Sequence, residues 1–585
     1  MNNDNTHGMR WDAVYDVVVV GSGAGAMTAA LRAHDHGLSV LMVEKAAQYG
    51  GTTAISGGGI WIPCNDQIEG LGGSDSPELA RAYLRATVGE DYEPARIDAY
   101  LEHGPRMLGY LAARAQTYFR AVARYPDYYP EREGGKPGYR TLEPAVFDAA
   151  RLGDEFQRLR ASSPATLIAG RIAMTQVEAH TIVTKEPGWL WLTARLGLGY
   201  LADLRWRRRT PRDRRLTLGN ALVASLRAAM QARGIELWLQ TPMRSVCSED
   251  GKVTGLVAER QGRAVHVRAR AGVILGCGGF EADQLMREQY LPGPTSATWT
   301  AAPPINSGDG IRAGLALGAD VALMSHTWGA PTVHVPGEEQ QRALFVERAF
   351  PRCIMVNGQG QRFVNEAAPY PDIIYAMYAD QQRTGANVPA WLIFDAEYRK
   401  RYPCGVLLPG TVQPDSKIPD GWLDKVIYRA DSLAALAAKI GVDAQGLSQS
   451  VQRLNQQAGN GVDTDFGKGD SLFDRYYGDS NCRPNPCLGP LERAPYYALR
   501  VDAGELGTKG GLRTDAQARV LRADGSLIEG LYAIGNTSAA LMGKTYPGPG
   551  STIGPAMTFG YIAANHLARE AGQVQPEVVA EAGLS

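Results

Sequence analysis

Cysteine is scarce: seven residues in 585, at 64, 247, 277, 353, 404, 482 and 487, with no Cys-x-x-Cys pair. An odd, scattered set excludes a disulfide or zinc framework and fits a reducing cytoplasm. No run of about 18 apolar residues is free of charge, so no spanning helix is expected. The N-terminus, MNNDNTHGMRWDAVYD, lacks an apolar core and carries no secretory signal. Net charge is missing too. Sixty Lys and Arg oppose 61 Asp and Glu, giving −1, so no overall field draws nucleic acid. The nine histidines form no Ser/Asp or metal-ligand pattern, and no internal repeat or low-complexity linker interrupts the chain. With 44% hydrophobic and 21% charged residues, the composition is that of an ordinary globular protein. Its length predicts several domains.

Glycine is in excess, at 68 of 585 residues, and it is clustered. Residues 15–20 read YDVVVV, an apolar run suited to a strand buried on both faces. Gly21-Ser22-Gly23-Ala24-Gly25-Ala26 follows, then a helical stretch ended by Gly37. In this G-x-G-x-x-A pattern Gly21 permits the turn and Gly23 the approach of a pyrophosphate. Ala26 is small enough for helix–strand packing. The helix N-terminus faces the phosphates with its partial positive charge. A second strand, SVLMVEK, ends at Glu44 and Lys45, where an acid accepts hydrogen bonds from ribose hydroxyls.

The next residues argue for FAD over NAD. Gly51, Thr52, Thr53, Ser56, Gly57 and Gly58 suit a cofactor that continues past its pyrophosphate along the protein. Gly278 lies in another backbone turn. Near the C-terminus a strand leads to Gly535 and Asn536. Ser551, Thr552 and Ile553 then open a helix whose amides can meet charge on a flavin ring. The expected architecture is α/β: a Rossmann-like FAD-binding domain split between 1–298 and 491–585. An α+β substrate or catalytic domain at 299–490 is inserted into it.

The chain resembles the FAD-dependent 3-ketosteroid Δ1-dehydrogenases, within the broader fumarate reductase-like flavoproteins. The resemblance covers nearly the whole length. It rests on VVVVGSGAGAMTAAL, EKAAQYGGTTAISGGGIWIP, YPDYYPEREGGKPG, VILGCGGFEAD, VNGQGQRFVNEAAPY, LGTKGGLRTD, GLYAIGNTSA and YPGPGSTIGPAMTFGYIAA. The glycine motifs mark only the superfamily; YPDYYPE, NEAAPY and TYPGPG are more specific. The resemblance implies non-covalent FAD, a 3-keto-4-ene steroid substrate and an external electron acceptor. In the family reaction a hydride leaves carbon 1 for flavin N5 and a proton leaves carbon 2. Tyr546 and Gly550 match the pair that polarises the 3-keto oxygen, Tyr370 the proton acceptor and Tyr128 its helper. Tyr129, next to Tyr128, would point the other way in an extended segment, and Asn365 and Glu366 would hold the loop bearing Tyr370. A phenol base predicts an alkaline activity optimum. The rival readings are a Δ4-(5α)-dehydrogenase, a fumarate reductase-like enzyme and a non-catalytic flavoprotein that tethers partners to membranes.

Residues 187–215 stand apart. They hold eight arginines, two aspartates and Trp189, Trp191 and Trp206. They suit an interfacial helix on anionic lipid, or else a helix packed on its own protein or on an oligomer partner. The first reading makes the chain a cytoplasmic protein with peripheral membrane attachment, and gives a weak preference for long-side-chain sterols.

Overall fold

A computed structural model describes residues 10–573. The first nine residues of the polar N-terminus, and 574–585, lie outside the described residues. Strand β1 (Ala13–Val20), helix α1 (Ala24–Asp35) and strand β2 (Val40–Val43) form the dinucleotide-binding unit. Val17 to Val19 have no exposed surface, as a strand covered on both faces requires. The strands Glu236–Trp238, β2, β1, the C-terminal half of Arg263–Leu275 and Leu527–Ala533 run parallel, in that order. Lys252–Arg260 and Met243–Glu249 extend the sheet as an antiparallel meander. Helices lie against it, including Leu218–Ala232 and the last helix, Ile553–Glu570.

Small residues bring α1 and Ile553–Glu570 together. A Cβ on Gly25 would stand 2.6 Å from the Ala556 carbonyl oxygen, and one on Gly560 would stand 2.4 Å from the Gly25 oxygen. The first and last parts of the chain therefore close one layer.

A second, antiparallel sheet is built around the long strand Tyr496–Thr508. Thr327–Val333, Ala390–Phe394 and Ile427–Ala430 pair directly with it, and Cys353–Val356 continues the order. Helix Tyr370–Thr384 packs on this sheet, with Ile374 against Gly329. Helix Asp309–Ala316 buries Ile311 in the core of the first sheet, and Tyr496–Thr508 belongs to the second.

Candidate active site

The groove between β1 and α1 is shaped by backbone. Gly21 has φ +98°, and a Cβ there would lie 2.4 Å from the Gly276 oxygen. Its N–H donates to the Val43 oxygen at 2.8 Å. Gly23 faces Gly51 with about one atom's clearance: a Cβ on Gly51 would lie 4.0 Å from Gly23 Cα. Thr53 Oγ1 accepts from the Ala24 N–H at 3.2 Å, at the mouth of the α1 N-terminus. Gly57 is exposed and opens on free space. Glu44 sits just past β2 and accepts from Ser22 Oγ at 2.6 Å and from the Ala46 N–H at 2.9 Å. These groups fit an adenosine ribose, a pyrophosphate over the helix end and a cofactor running on toward Gly57.

Not every residue of the expected set faces that groove. Ser56 and Gly58 pack on the start of helix Leu218–Ala232, where a Cβ on Gly58 would lie 2.4 Å from the Gly219 nitrogen. Lys45 turns its ammonium to Asp309 (2.6 Å) and Ser307 (2.7 Å). Thr52 accepts from Asn306, which also donates to the buried Glu281. Burial pushes the Glu281 carboxyl up to about 7. Gly278, with φ +84°, packs on Asn306. Gly21→Ala is expected to cost about 1–3 kcal/mol through its strained backbone. The variant should also lose the visible flavin absorbance after gel filtration.

At the other end of the groove lies a narrow cleft lined by Trp328, Gly535, Asn536, Ser551, Thr552 and Pro555, among others. Asn536 Oδ1 accepts from Trp328 Nε1 at 3.0 Å. Ile553 begins the last helix beside this cleft.

Three loops meet next to it. Ring centroids of Tyr128, Tyr370 and Tyr546 lie 5.6 Å (128–370), 5.1 Å (128–546) and 5.4 Å (370–546) apart. Phe345, Phe473 and Trp328 pack around them. Each tyrosine is held by its own anchor. The Tyr128 N–H donates to the Pro547 oxygen at 2.9 Å, tying its loop to that of Tyr546. Asp127 accepts from Trp61 Nε1 (2.7 Å) and from the fully buried Arg140 (2.8 Å). Tyr370 is the first residue of helix Tyr370–Thr384. In the segment before it, Asn365 donates to Asp474 at 2.8 Å and Glu366 pairs with Arg362 at 2.9 Å. Tyr129 points elsewhere, donating to Asp372 at 2.8 Å.

Tyr546 begins the turn Tyr-Pro-Gly-Pro-Gly. Gly550 has φ +98°, and a Cβ would strike Ile60 at 2.6 Å. Thr552 Oγ1 donates to the Tyr546 oxygen at 3.2 Å, and the Gly550 N–H is turned to the same oxygen. The Gly550 amide is thus a neighbour of the Tyr546 hydroxyl. Burial raises Tyr128 and Tyr370 well above the ordinary phenol range and also raises Tyr546. For Tyr370 the neighbouring Tyr546 adds to the rise, whereas the Tyr128 hydroxyl opposes it.

Behind Tyr546 the sequence reading missed Lys509. Its buried ammonium donates to the Gly543 oxygen (2.9 Å) and the Thr545 oxygen, and stands 4.1 Å from the Trp328 ring centre. Burial lowers its proton affinity far below that of a free lysine.

A family model described as an FAD binding domain matches residues 16–553. The 3-oxosteroid 1-dehydrogenase of Mycobacterium tuberculosis is 44% identical over 569 residues, covering 96% of this chain and 99% of that one. The crystal structure of 3-ketosteroid Δ1-dehydrogenase from Sterolibacterium denitrificans, in complex with 1,4-androstadiene-3,17-dione, is 53% identical. It has a TM-score of 0.93 and covers 95% of this chain and 100% of that one. The chain belongs to the family of FAD-dependent 3-ketosteroid Δ1-dehydrogenases. The 3-ketosteroid-Δ4-(5α)-dehydrogenase of Rhodococcus jostii shares the fold alone, at 22% identity and a TM-score of 0.64, with 96% of this chain and 99% of that one covered.

The arginine-rich segment is sorted by the structure. Trp206 is buried on Phe156, and Arg212 donates to the Phe156 and Leu159 carbonyls. Arg214 and Arg215 pair with Asp148 and Glu178. Trp206, Arg212 and Arg215 pack on the protein, as the alternative reading of the segment has it, while Arg214 stays exposed in a surface ion pair. Leu190, Trp191, Leu198, Leu201 and Leu204 remain 62–68% exposed, beside exposed Arg205, Arg208 and Arg209. Among the described residues no helix is long and apolar enough to cross a membrane.

Proposed function

We propose that the chain introduces a double bond between carbons 1 and 2 of 3-keto-4-ene steroids, giving 1,4-dien-3-ones. The convergence of Tyr370, Tyr546 and Tyr128 beside the Gly550 amide carries this reading. FAD would be held by Gly21, Gly23, Glu44, Thr53 and Gly57 at one end and by Gly535, Asn536 and the start of the last helix at the other, and would accept the hydride that leaves carbon 1. The Tyr546 hydroxyl and the Gly550 N–H donate to the 3-keto oxygen and stabilise the negative charge it gains as the carbon 2 proton leaves. The Tyr370 oxygen takes that proton. Tyr128 shares the charge that Tyr370 acquires and fixes its ring. The test is anaerobic: a 3-keto-4-ene steroid should bleach the yellow protein, and NMR of the product should place the new double bond at carbons 1 and 2. A yellow protein that stays unbleached, or a product unsaturated elsewhere, would reject the reading.

The exposed row from Leu190 to Leu204, with Arg205, Arg208 and Arg209 beside it, fits an anionic membrane surface. Apolar side chains enter the interface while each arginine near it contributes about 1 kcal/mol. A variant with Trp191, Leu198 and Leu201 changed to Ser should stay at the bottom of a flotation gradient with phosphatidylserine vesicles, where the parent rises. Equal recovery of both would remove the membrane.

A further inference from the structure

Arg348 is 2% exposed and forms no hydrogen bond to a carboxylate among the described residues. Its guanidinium is spent on backbone. Nη1 donates to the carbonyls of Glu366 and of Ala368 (3.1 Å), Nη2 to that of Phe345 (3.2 Å) and Nε to that of Leu344 (2.9 Å). Glu366 and Ala368 belong to the segment that presents Tyr370. Phe345 sets its ring edge-on against Tyr370, with centroids 5.3 Å apart. One side chain thus joins the two pieces of chain that flank the phenol.

The charges around this spot favour a role beyond fastening. Glu347, adjacent and half-buried, accepts from the Val346 N–H; burial raises its carboxyl, and the Arg348 charge opposes that rise. Glu366 is already matched by Arg362 and Lys468. Asp372 is taken by Tyr129, and the Cys353 thiol is kept neutral by burial. The remaining groups facing Tyr370 are phenols: Tyr128, Tyr546 and Tyr477. Arg348 interacts electrostatically first with Glu347, then with Tyr128 and Tyr370, and also favours the ionised form of Tyr477. Burial lowers Arg348 itself to about 10, so it stays charged at neutral and mildly alkaline pH.

We propose that Arg348 is a positioning residue for Tyr370: it fastens the segment that presents the phenol, and its positive charge favours the ionised phenol as the base that removes the carbon 2 proton. The proposal rests on the functional reading above. In a dry tyrosine cluster an opposite charge is what offsets the cost of making a phenolate.

The experiment compares parent, R348K and R348Q, each purified with FAD and checked for flavin absorbance. kcat/KM is measured from pH 6 to 10 with androst-4-ene-3,17-dione, and a carbon 2 deuterium isotope effect shows that proton removal limits the rate. In R348Q the rising alkaline limb should move up by about one pH unit or more, the size expected from losing a nearby opposite charge. R348K keeps the charge but has a single nitrogen for four carbonyls. Its kcat should fall while its limb stays in place. An R348Q limb at the parental pH overturns the proposal. If R348Q yields no holoenzyme, R348K decides: a parental kcat, or a limb displaced upward, overturns the proposal. A parent that forms no 1-ene product rejects the functional reading, and this proposal with it. A working parent with an unmoved R348Q limb rejects this proposal alone.

Discussion

Tyr370→Phe should lower kcat by up to about 10⁴-fold, the upper end of what a positioned general base contributes. The substitution removes one oxygen from a ring packed between Phe345, Tyr128 and Tyr546, so the fold and the yellow colour should persist. Two measurements check this. Stopped-flow bleaching should slow by the same factor as turnover, and exchange of the carbon 2 hydrogen with solvent deuterium should stop. A variant that bleaches at the parental rate would mean that another group takes the proton. The pH response has a defined sign. Burial keeps Tyr370 mostly protonated at neutral pH, so the fraction of ionised base, and with it the rate, rises with pH. Stability runs the other way. Tyr83, Tyr125, Tyr128, Tyr370 and Tyr477 are all held well above the ordinary phenol value, first by burial. Their contribution to the fold is complete below the free value of about 10 and is lost as pH rises beyond it. The alkaline optimum should therefore end in unfolding rather than in a plateau.

Tyr546→Phe should cost about 10²–10³ in kcat, the usual effect of removing one donor to an oxygen that gains negative charge. Here the base is intact, and the damage falls on charge stabilisation. The Gly550 amide remains as a single donor, so residual activity should exceed that of Tyr370→Phe. A 3-hydroxy or phenolic steroid that mimics the charged oxygen should bind more weakly to this variant, measured by flavin difference spectra. A double variant of Tyr370 and Tyr546 that loses no more than Tyr370→Phe alone would show that the two groups act as one unit. An unchanged rate in Tyr546→Phe would displace the donor pair from the mechanism.

The legible parts of the site were those in which backbone geometry dictates residue type. Gly21 can be read because only glycine tolerates its conformation against Gly276, and the strand–turn–helix order around it is local. The three tyrosines could be placed only through the resemblance. They sit far apart in the chain, in loops at 128 and 546 and at a helix start at 370, and nothing local distinguishes them from the other 23 tyrosines of the chain. Tyr129 was separable because successive residues of an extended segment face opposite ways, and it does turn to Asp372. The buried charges were illegible. Arg140, Arg348 and Lys509 look like surface residues in sequence, since the groups that satisfy them lie far along the chain or are carbonyls, which every residue has. Gly58 has a second reason to be glycine, since its α-carbon packs closely on Gly219. In 187–215 the composition does not tell inward from outward positions: Trp206, Arg212 and Arg215 turn inward because Phe156, the Leu159 carbonyl and Glu178 await them.

The crossing of α1 with Ile553–Glu570 through Gly25, Ala556 and Gly560 has a consequence for biosynthesis. The two walls of the flavin cradle are separated by more than 500 residues of translation. At about 5–20 residues per second, the first wall waits roughly half a minute or longer for the second. During that interval the flank of α1 that Ile553–Glu570 will cover waits for its partner. Pigment uptake should accordingly come late, and a chain truncated before Ile553 should be colourless after gel filtration.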